Sequence, residues 1–314
     1  MKNYQIAFVG MGSIGKRHLN NVCQLIASQG NTFSIDLYRS SMARELPENV
    51  NSLVSNQYQC SQEVQRVYDM VFITNPTSLH LDTAIKFRPY AKAFFIEKPV
   101  FGMIEVDDQI VAMLDEIPSY VACPLRYNPV LQYVKQNVEL EKVISVRAMS
   151  SSYLPDWRPG QNYRETYSAH AELGGGVDID LIHEWDYLTW IFGKPTECFG
   201  IAGRFSNLEI NSNDTALYVA KNEKLTFELH LDYFGRKTQR TLDIFTQDET
   251  IQCDIVGGTV TYMKEGKTFD FNSERNAFQM AEIQHFFDIA EGKRANDSSV
   301  RHGVEVLKLS KAKI

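Results

Sequence analysis

Ala7-Phe8-Val9-Gly10-Met11-Gly12-Ser13-Ile14-Gly15-Lys16-Arg17 is the stretch that decides the fold. It places a GxGxxG pattern directly after the apolar run Tyr4 to Val9 and before an amphipathic run, His18 to Gln29. Gly10 permits the tight turn, Gly12 lets the backbone approach a pyrophosphate, and Gly15 allows helix and strand to pack closely. Together with Ser13 and Ile14, they put phosphates at a helix N-terminus, where backbone N–H groups and the macrodipole favour negative charge. A glycine-rich corner that holds no ligand is the alternative.

Working outward, Phe33 to Tyr38, Met70 to Thr74 and Ala93 to Ile96 read as buried strands, with a helix at Leu79 to Phe87 and a further strand near Tyr120 to Cys123. Strands alternating with helices imply right-handed crossovers, hence an α/β Rossmann domain with a doubly wound parallel sheet over residues 1–123. After residue 124 strand-like runs follow one another: Val143 to Met149, Glu197 to Gly203, Thr215 to Val219, Leu225 to Leu231, Thr241 to Phe245 and Thr259 to Met263. With helices expected at Asp180 to Phe192, Ala277 to Glu291 and Val300 to Lys311, residues 124–314 read as an α+β domain on a mostly antiparallel open sheet, for substrate binding and oligomerisation. No repeat or long linker separates the two, so close packing with the active site between them is expected.

A length of 314 residues suits two cores rather than one. Hydrophobic residues at 44% and charged residues at 23% exclude a disordered or fibrous chain. A net charge of -7 offers no basic field for nucleic acid or an anionic membrane. The N-terminal apolar run is too short for a signal peptide or a span. Cys23, Cys60, Cys123, Cys198 and Cys253 are scattered and odd in number, which points to reduced thiols, a cytoplasmic setting and no zinc site.

The second strand ends Asp36-Leu37-Tyr38-Arg39-Ser40. An acid selective for the ribose of NAD belongs at that end, but Asp36 falls inside the strand. Arg39 and Ser40 stand there instead and suit a 2′-phosphate, favouring NADP over NAD. Arg39 stacked on adenine or turned to solvent would leave NAD usable. Glu97-Lys98-Pro99 follows the fourth strand, at the sheet end where open α/β enzymes carry their sites. A partly desolvated Lys98 could exchange a proton with a hydroxyl, whereas most lysines beside a glutamate are surface ion pairs.

With these motifs in order, the chain resembles the Gfo/Idh/MocA oxidoreductase family of glucose-fructose oxidoreductase and inositol dehydrogenase. The resemblance rests on Gly10 to Gly15, on Thr74-Asn75-Pro76 with His80, on Glu97-Lys98-Pro99, and on Gly174-Gly175-Gly176 followed by Asp180, His183 and Asp186. It implies hydride transfer between nicotinamide and a carbinol carbon, with Lys98 as acid/base and His183 contacting the reacting oxygen. It also implies that Thr74, Asn75, Pro76, His80 and Glu97 surround the cofactor, that the Lys98-Pro99 bond is often cis, and that Arg126 to Pro129 leads into the second domain, with Arg126 and Asn128 toward the substrate. A homo-oligomer, dimer or tetramer, is implied by face-to-face pairing of open C-terminal sheets.

Asp180, His183 and Asp186 recur every third residue, which brings them near one helical face, with Asp180 one residue closer to the histidine than in many members. A histidine beside carboxylates stays basic and oriented, as catalysis requires, though a satisfied histidine on a buried helix is the ordinary alternative. No ligand spacing for a metal is present. The segment Tyr153 to Arg164 offers Trp157 and Tyr163 to cover a sugar ring and Arg158 or Arg164 to grip an anion; a domain or subunit contact is its other reading. By resemblance the loop is similar to members from surface-polysaccharide and acidic-sugar pathways. The expected function is an NAD(P)-dependent dehydrogenase or reductase of a sugar-like substrate. A nicotinamide-retaining glycosidase and a non-enzymatic NAD(P)-binding regulator are the alternatives.

Overall fold

The structure is a computed structural model, and it describes residues 1–43, 45–271 and 274–312. By packing, the chain divides into two compact units, Met1–Ala122 with Gln279–Val304, and Cys123–Phe278 with Glu305–Ile314.

In the first unit, β1 (Asn3–Val9), α1 (Ser13–Ser28), β2 (Thr32–Arg39), α2 (Glu48–Asn51), β3 (Asn56–Gln59), β4 (Met70–Ile73), α3 (His80–Phe87), β5 (Phe94–Ile96), α4 (Asp108–Asp115) and β6 (Ser119–Val121) build a six-stranded sheet of order β3-β2-β1-β4-β5-β6. All five pairings are parallel. The order reverses beside β1, which makes the crevice beyond its carboxyl end the topological switch point of a Rossmann sheet. β1 is central because Ile6, Ala7 and Phe8 are apolar and wholly buried. β3, with the polar sequence Asn56-Gln57-Tyr58-Gln59, lies at the edge.

The second unit holds α5 (Pro129–Asn137), β7 (Val143–Tyr153), α6 (Val177–Asp180), α7 (His183–Phe192), β8 (Glu197–Gly203), β9 (Thr215–Lys221), β10 (Thr226–Asp232), β11 (Phe234–Thr246), β12 (Thr250–Asp254), β13 (Thr259–Tyr262) and β14 (Lys267–Asp270). The strands form one sheet of order β14-β13-β12-β11-β7-β10-β9-β8, antiparallel except for β7 beside β10. One face is apolar and buried: Trp185 of α7 packs edge-on against Tyr218 of β9 and over Phe227 of β10. The opposite face exposes Phe199, Ile201, Leu217 and Val219.

Two boundaries differ from the sequence reading. α8 (Arg275–Ala290) and α9 (Val300–Ser310) follow β14, and residues 279–304 pack with the first unit rather than the second. The reason is aromatic: Phe286 meets Phe72 and Phe95, and Phe287 meets Tyr4. The helix expected over Asp180 to Phe192 is broken at Leu181 and Ile182, so α6 and α7 are separate. All six residues from Val177 to Ile182 are buried, more than one face of a continuous helix can turn inward.

Candidate active site

Gly10 leaves β1 with φ +93, and a Cβ there would lie 2.6 Å from the backbone of Asn75. Gly15 is as tightly bounded, with Thr74 Oγ1 at 2.8 Å and Gly10 O at 3.0 Å from a virtual Cβ. Gly12, the N-cap of α1, has open space within 4 Å. The first bond inside α1 runs from Lys16 N–H to Gly12 O. The N–H groups of Ser13, Ile14 and Gly15 precede it and have no intrahelical acceptor. No acid occupies the first turn of α1. An anion-sized cradle bordered by donors and unobstructed at Gly12 fits the pyrophosphate of a dinucleotide.

The loop after β4 braces that turn. Thr74 Oγ1 donates to Gly10 O at 2.9 Å, and Asn75 Nδ2 donates to Thr83 Oγ1 at 2.8 Å. His80 is 1% exposed, with Nε2 2.9 Å from Asn75 O and Nδ1 3.1 Å from Pro99 O. Burial holds its imidazole below the ordinary value, although the carbonyls of Asn75, Val100 and Pro99 and the Glu97 charge favour the protonated form. Thr74 and His80 are thus struts between loops, and Pro76 is exposed at the start of the short turn that leads into α3.

Glu97 and Lys98 follow β5 at the carboxyl edge of the sheet, and the Lys98-Pro99 bond is cis. Lys98 is half-buried. Glu97 is not a surface partner for it. Its Oε1 lies 2.5 Å from Nε2 of His18, a buried residue of α1, and its Oε2 accepts the Lys98 N–H at 3.0 Å. Burial alone would raise the Glu97 carboxyl; the His18 hydrogen bond and charge, with Lys98, outweigh it and leave it below the usual range. His18 escaped the sequence reading, which used it only as the start of a helix. Its signal was the spacing of three from Gly15, which puts both on the face of α1 that packs inward.

At the end of β2, Arg39 Nη1 donates to Gln57 Oε1 at 2.9 Å beside the exposed Ser40. Asp36 is buried and engaged by Asn56 Nδ2 at 2.8 Å, Tyr68 Oη at 2.9 Å and Arg66 at 3.2 Å. Its carboxylate is unavailable to a ribose.

Within the second unit, Asp180 and Asp186 turn to different partners. The Asp180 carboxylate accepts from Tyr167 Oη at 2.5 Å and Tyr233 Oη at 2.6 Å. Trp157 stands edge-on to Tyr233 at 5.2 Å, and the Arg158 guanidinium lies over the Tyr167 ring at 5.5 Å. The loop residues Trp157 and Arg158 are therefore joined to Asp180, three residues before the half-buried His183, through two tyrosines the sequence reading did not select. Asp186 instead holds Arg126 bidentately, at 2.7 and 2.9 Å, with both buried. Asn128 caps α5, accepting from Val130 N–H at 2.9 Å, and is also buried. Arg126, Asn128 and Asp186 thus take part in the framework of this unit. Tyr163 Oη accepts from Glu209 N–H, and the exposed Arg164 pairs with the Glu209 side chain. Among the described residues no three His, Cys, Asp or Glu side chains could hold a metal ion, and no helix is long and apolar enough to cross a membrane.

Residues 4–121 match the model of an oxidoreductase family with the NAD-binding Rossmann fold, the Gfo/Idh/MocA family. This part of the chain is similar to that family. The oxidoreductase YrbE of Bacillus subtilis (strain 168), itself described as uncharacterized, is 24% identical over 234 residues. That match covers 72% of this chain but 64% of YrbE, a little under two thirds of its length. Two solved structures are similar in fold across both units. UDP-N-acetylglucosamine 3-dehydrogenase GnnA from Acidithiobacillus ferrooxidans superimposes with a TM-score of 0.75 at 19% identity, covering 99% of this chain and 96% of its own. The WlbA dehydrogenase from Bordetella pertussis, solved with NADH and UDP-GlcNAcA, gives 0.77 at 18%, covering 99% and 95%.

Proposed function

We propose that this protein is a Gfo/Idh/MocA oxidoreductase that transfers a hydride between a nicotinamide dinucleotide and a carbinol or ketone carbon of a sugar derivative, with Lys98 as the acid/base. The observation that carries this reading is the placement of Lys98 at the carboxyl end of β5, in the same sheet whose first crossover opens on the glycine cradle. Bound dinucleotide supplies or accepts the hydride. In the oxidising direction the Lys98 amine takes the hydroxyl proton as the hydride leaves carbon; in the reducing direction the ammonium returns it. Gly10, Gly12, Ser13, Ile14 and Gly15 bind the pyrophosphate. Asn75 and Pro76 line the nicotinamide side, with Thr74, His80 and Glu97 holding that wall. His183 donates to the reacting oxygen, and Asp180, fixed by Tyr167 and Tyr233, orders the residues before it.

NADP is the favoured cofactor. Arg39 and Ser40 stand where the 2′ substituent falls, and the only acid on that strand, Asp36, is already engaged. Trp157, Arg158, Tyr163 and Arg164 are assigned to the substrate, and an activated or acidic sugar, of the kind built into surface polysaccharides, suits an aromatic and cationic loop. GnnA and WlbA, whose names and ligands are nucleotide sugars, support that choice. The apolar outer face of the eight-stranded sheet is the surface for a homo-oligomer.

A panel of nucleotide sugars, uronic acids and inositols with NAD or NADP, followed by nicotinamide absorbance, tests the reading. Turnover is expected in the wild type, and Lys98→Ala should abolish it with dinucleotide affinity changed less than about threefold. Undiminished turnover in Lys98→Ala would sink the assignment. Release of a leaving group without net nicotinamide change would mean elimination chemistry instead.

A further inference from the structure

The Glu97 carboxylate has two tenants on its two oxygens. Oε1 lies 2.5 Å from His18 Nε2, and Oε2 takes the backbone N–H of Lys98 at 3.0 Å. One end of this bridge is on α1, the helix that opens at the glycine cradle; the other is the main chain of the residue assigned to proton transfer. The pair lies 79 residues apart in sequence. His18 is 1% exposed and its ring packs edge-on against Phe95 at 4.8 Å, so it has little freedom to seek another acceptor. Its second nitrogen, Nδ1, is buried without a hydrogen-bond partner. A buried polar atom left unsatisfied is costly. Packing alone would be served more cheaply by a leucine here, so the imidazole is retained for what Nε2 does.

From this we infer that His18 is a positioning residue for Lys98, acting through Glu97. It holds the carboxylate in the one orientation that leaves Oε2 for the Lys98 amide, and it ties the lysine's main chain to the phosphate-binding helix. Bound dinucleotide seats α1, α1 seats Glu97 through His18, and Glu97 sets the backbone from which the Lys98 amine is presented. The inference rests on the proposed role of Lys98, but its geometry is independent of which sugar is turned over.

The test therefore uses a probe of Lys98 itself. The full-length protein is labelled with trace acetic anhydride from pH 7 to 10, and the Lys98 rate is read by mass spectrometry against an exposed internal standard, Lys237. NADPH affinity is read in parallel by fluorescence. His18→Leu, which keeps the volume and loses Nε2, should raise the Lys98 rate about threefold at pH 8 and move its pH profile. His18→Gln, which restores an N–H near the Nε2 position, should return both to within about 1.5-fold of wild type. Glu97→Gln should resemble His18→Leu, and combining the two should add nothing. An unchanged Lys98 profile in both single variants overturns the inference, as does a His18→Gln variant that behaves like His18→Leu. If His18→Leu does not fold, the Glu97→Gln and His18→Gln arms decide. Failure of wild type to bind NADPH or NADH would instead overturn the functional reading, with the labelling result still standing.

Discussion

Arg126 and Asp186 face each other through two parallel hydrogen bonds, of 2.7 and 2.9 Å, inside the second unit. A guanidinium fork matched to a carboxylate is well satisfied, but either half left alone is a buried charge. Arg126→Lys or Asp186→Asn should lower stability by about 3 kcal/mol, read as a shift of the urea midpoint. A raised KM with an unmoved midpoint would return these residues to the substrate.

The glycine cradle separates fold from binding. Gly10→Ala forces a side chain into positive φ and against the backbone of Asn75, and should cost about 2 kcal/mol or more. Gly12→Ala meets open space, so its stability should change by under about 1 kcal/mol. Dinucleotide affinity should fall about tenfold or more in that variant because the added methyl sits where phosphate approaches. Thermal denaturation with NADPH titration of both variants checks the split; a Gly12→Ala protein with wild-type affinity would contradict it.

The proposed preference for NADP rests on Arg39. Loss of one charge-assisted contact is worth about 1.5–3 kcal/mol, so Arg39→Ala should raise the NADP Michaelis constant about tenfold or more and leave that for NAD within about twofold. Equal effects on both cofactors would show the guanidinium reading something other than the 2′ position.

Glu291 gives a pH dependence. Burial raises its carboxyl, but hydrogen bonds from Lys293, Tyr4 and Lys2 outweigh it and bring it down to about 2. A folded value below the unfolded one, about 4.3, stabilises the protein above the unfolded value and is lost as pH falls from about 5 toward 2. Allowing for the water that reaches this site, the contribution is about 1–2 kcal/mol at neutral pH. Glu291→Gln should therefore unfold more easily at pH 7, with the difference from wild type shrinking by pH 3. A constant difference across that range would rule out the carboxylate as its source.

Much of this was legible in the primary structure. GxGxxG after a buried strand, and Glu97-Lys98-Pro99 after another, are local signals, and the parallel sheet follows from the alternation they interrupt. What escaped was set by long-range packing. β3 is polar and short, so no periodicity marks it. His18 and Glu97 meet only because α1 crosses the sheet. The break between α6 and α7, where Leu181 and Ile182 are both buried, left no local signal, and Asp180 and Asp186 take different partners on either side of it. Asn128 was readable after all: an asparagine before Pro129 is a helix start, N-cap followed by N1 proline.

The return of residues 279–304 to the first unit has a consequence for synthesis. The sheet's aromatic seam of Phe72, Phe95 and Tyr4 lacks part of its cover until Phe286 and Phe287 arrive. A nascent chain must therefore extend past residue 287 before its earliest strands are fully sheltered, and a fragment ending at residue 122 would carry part of that greasy surface bare.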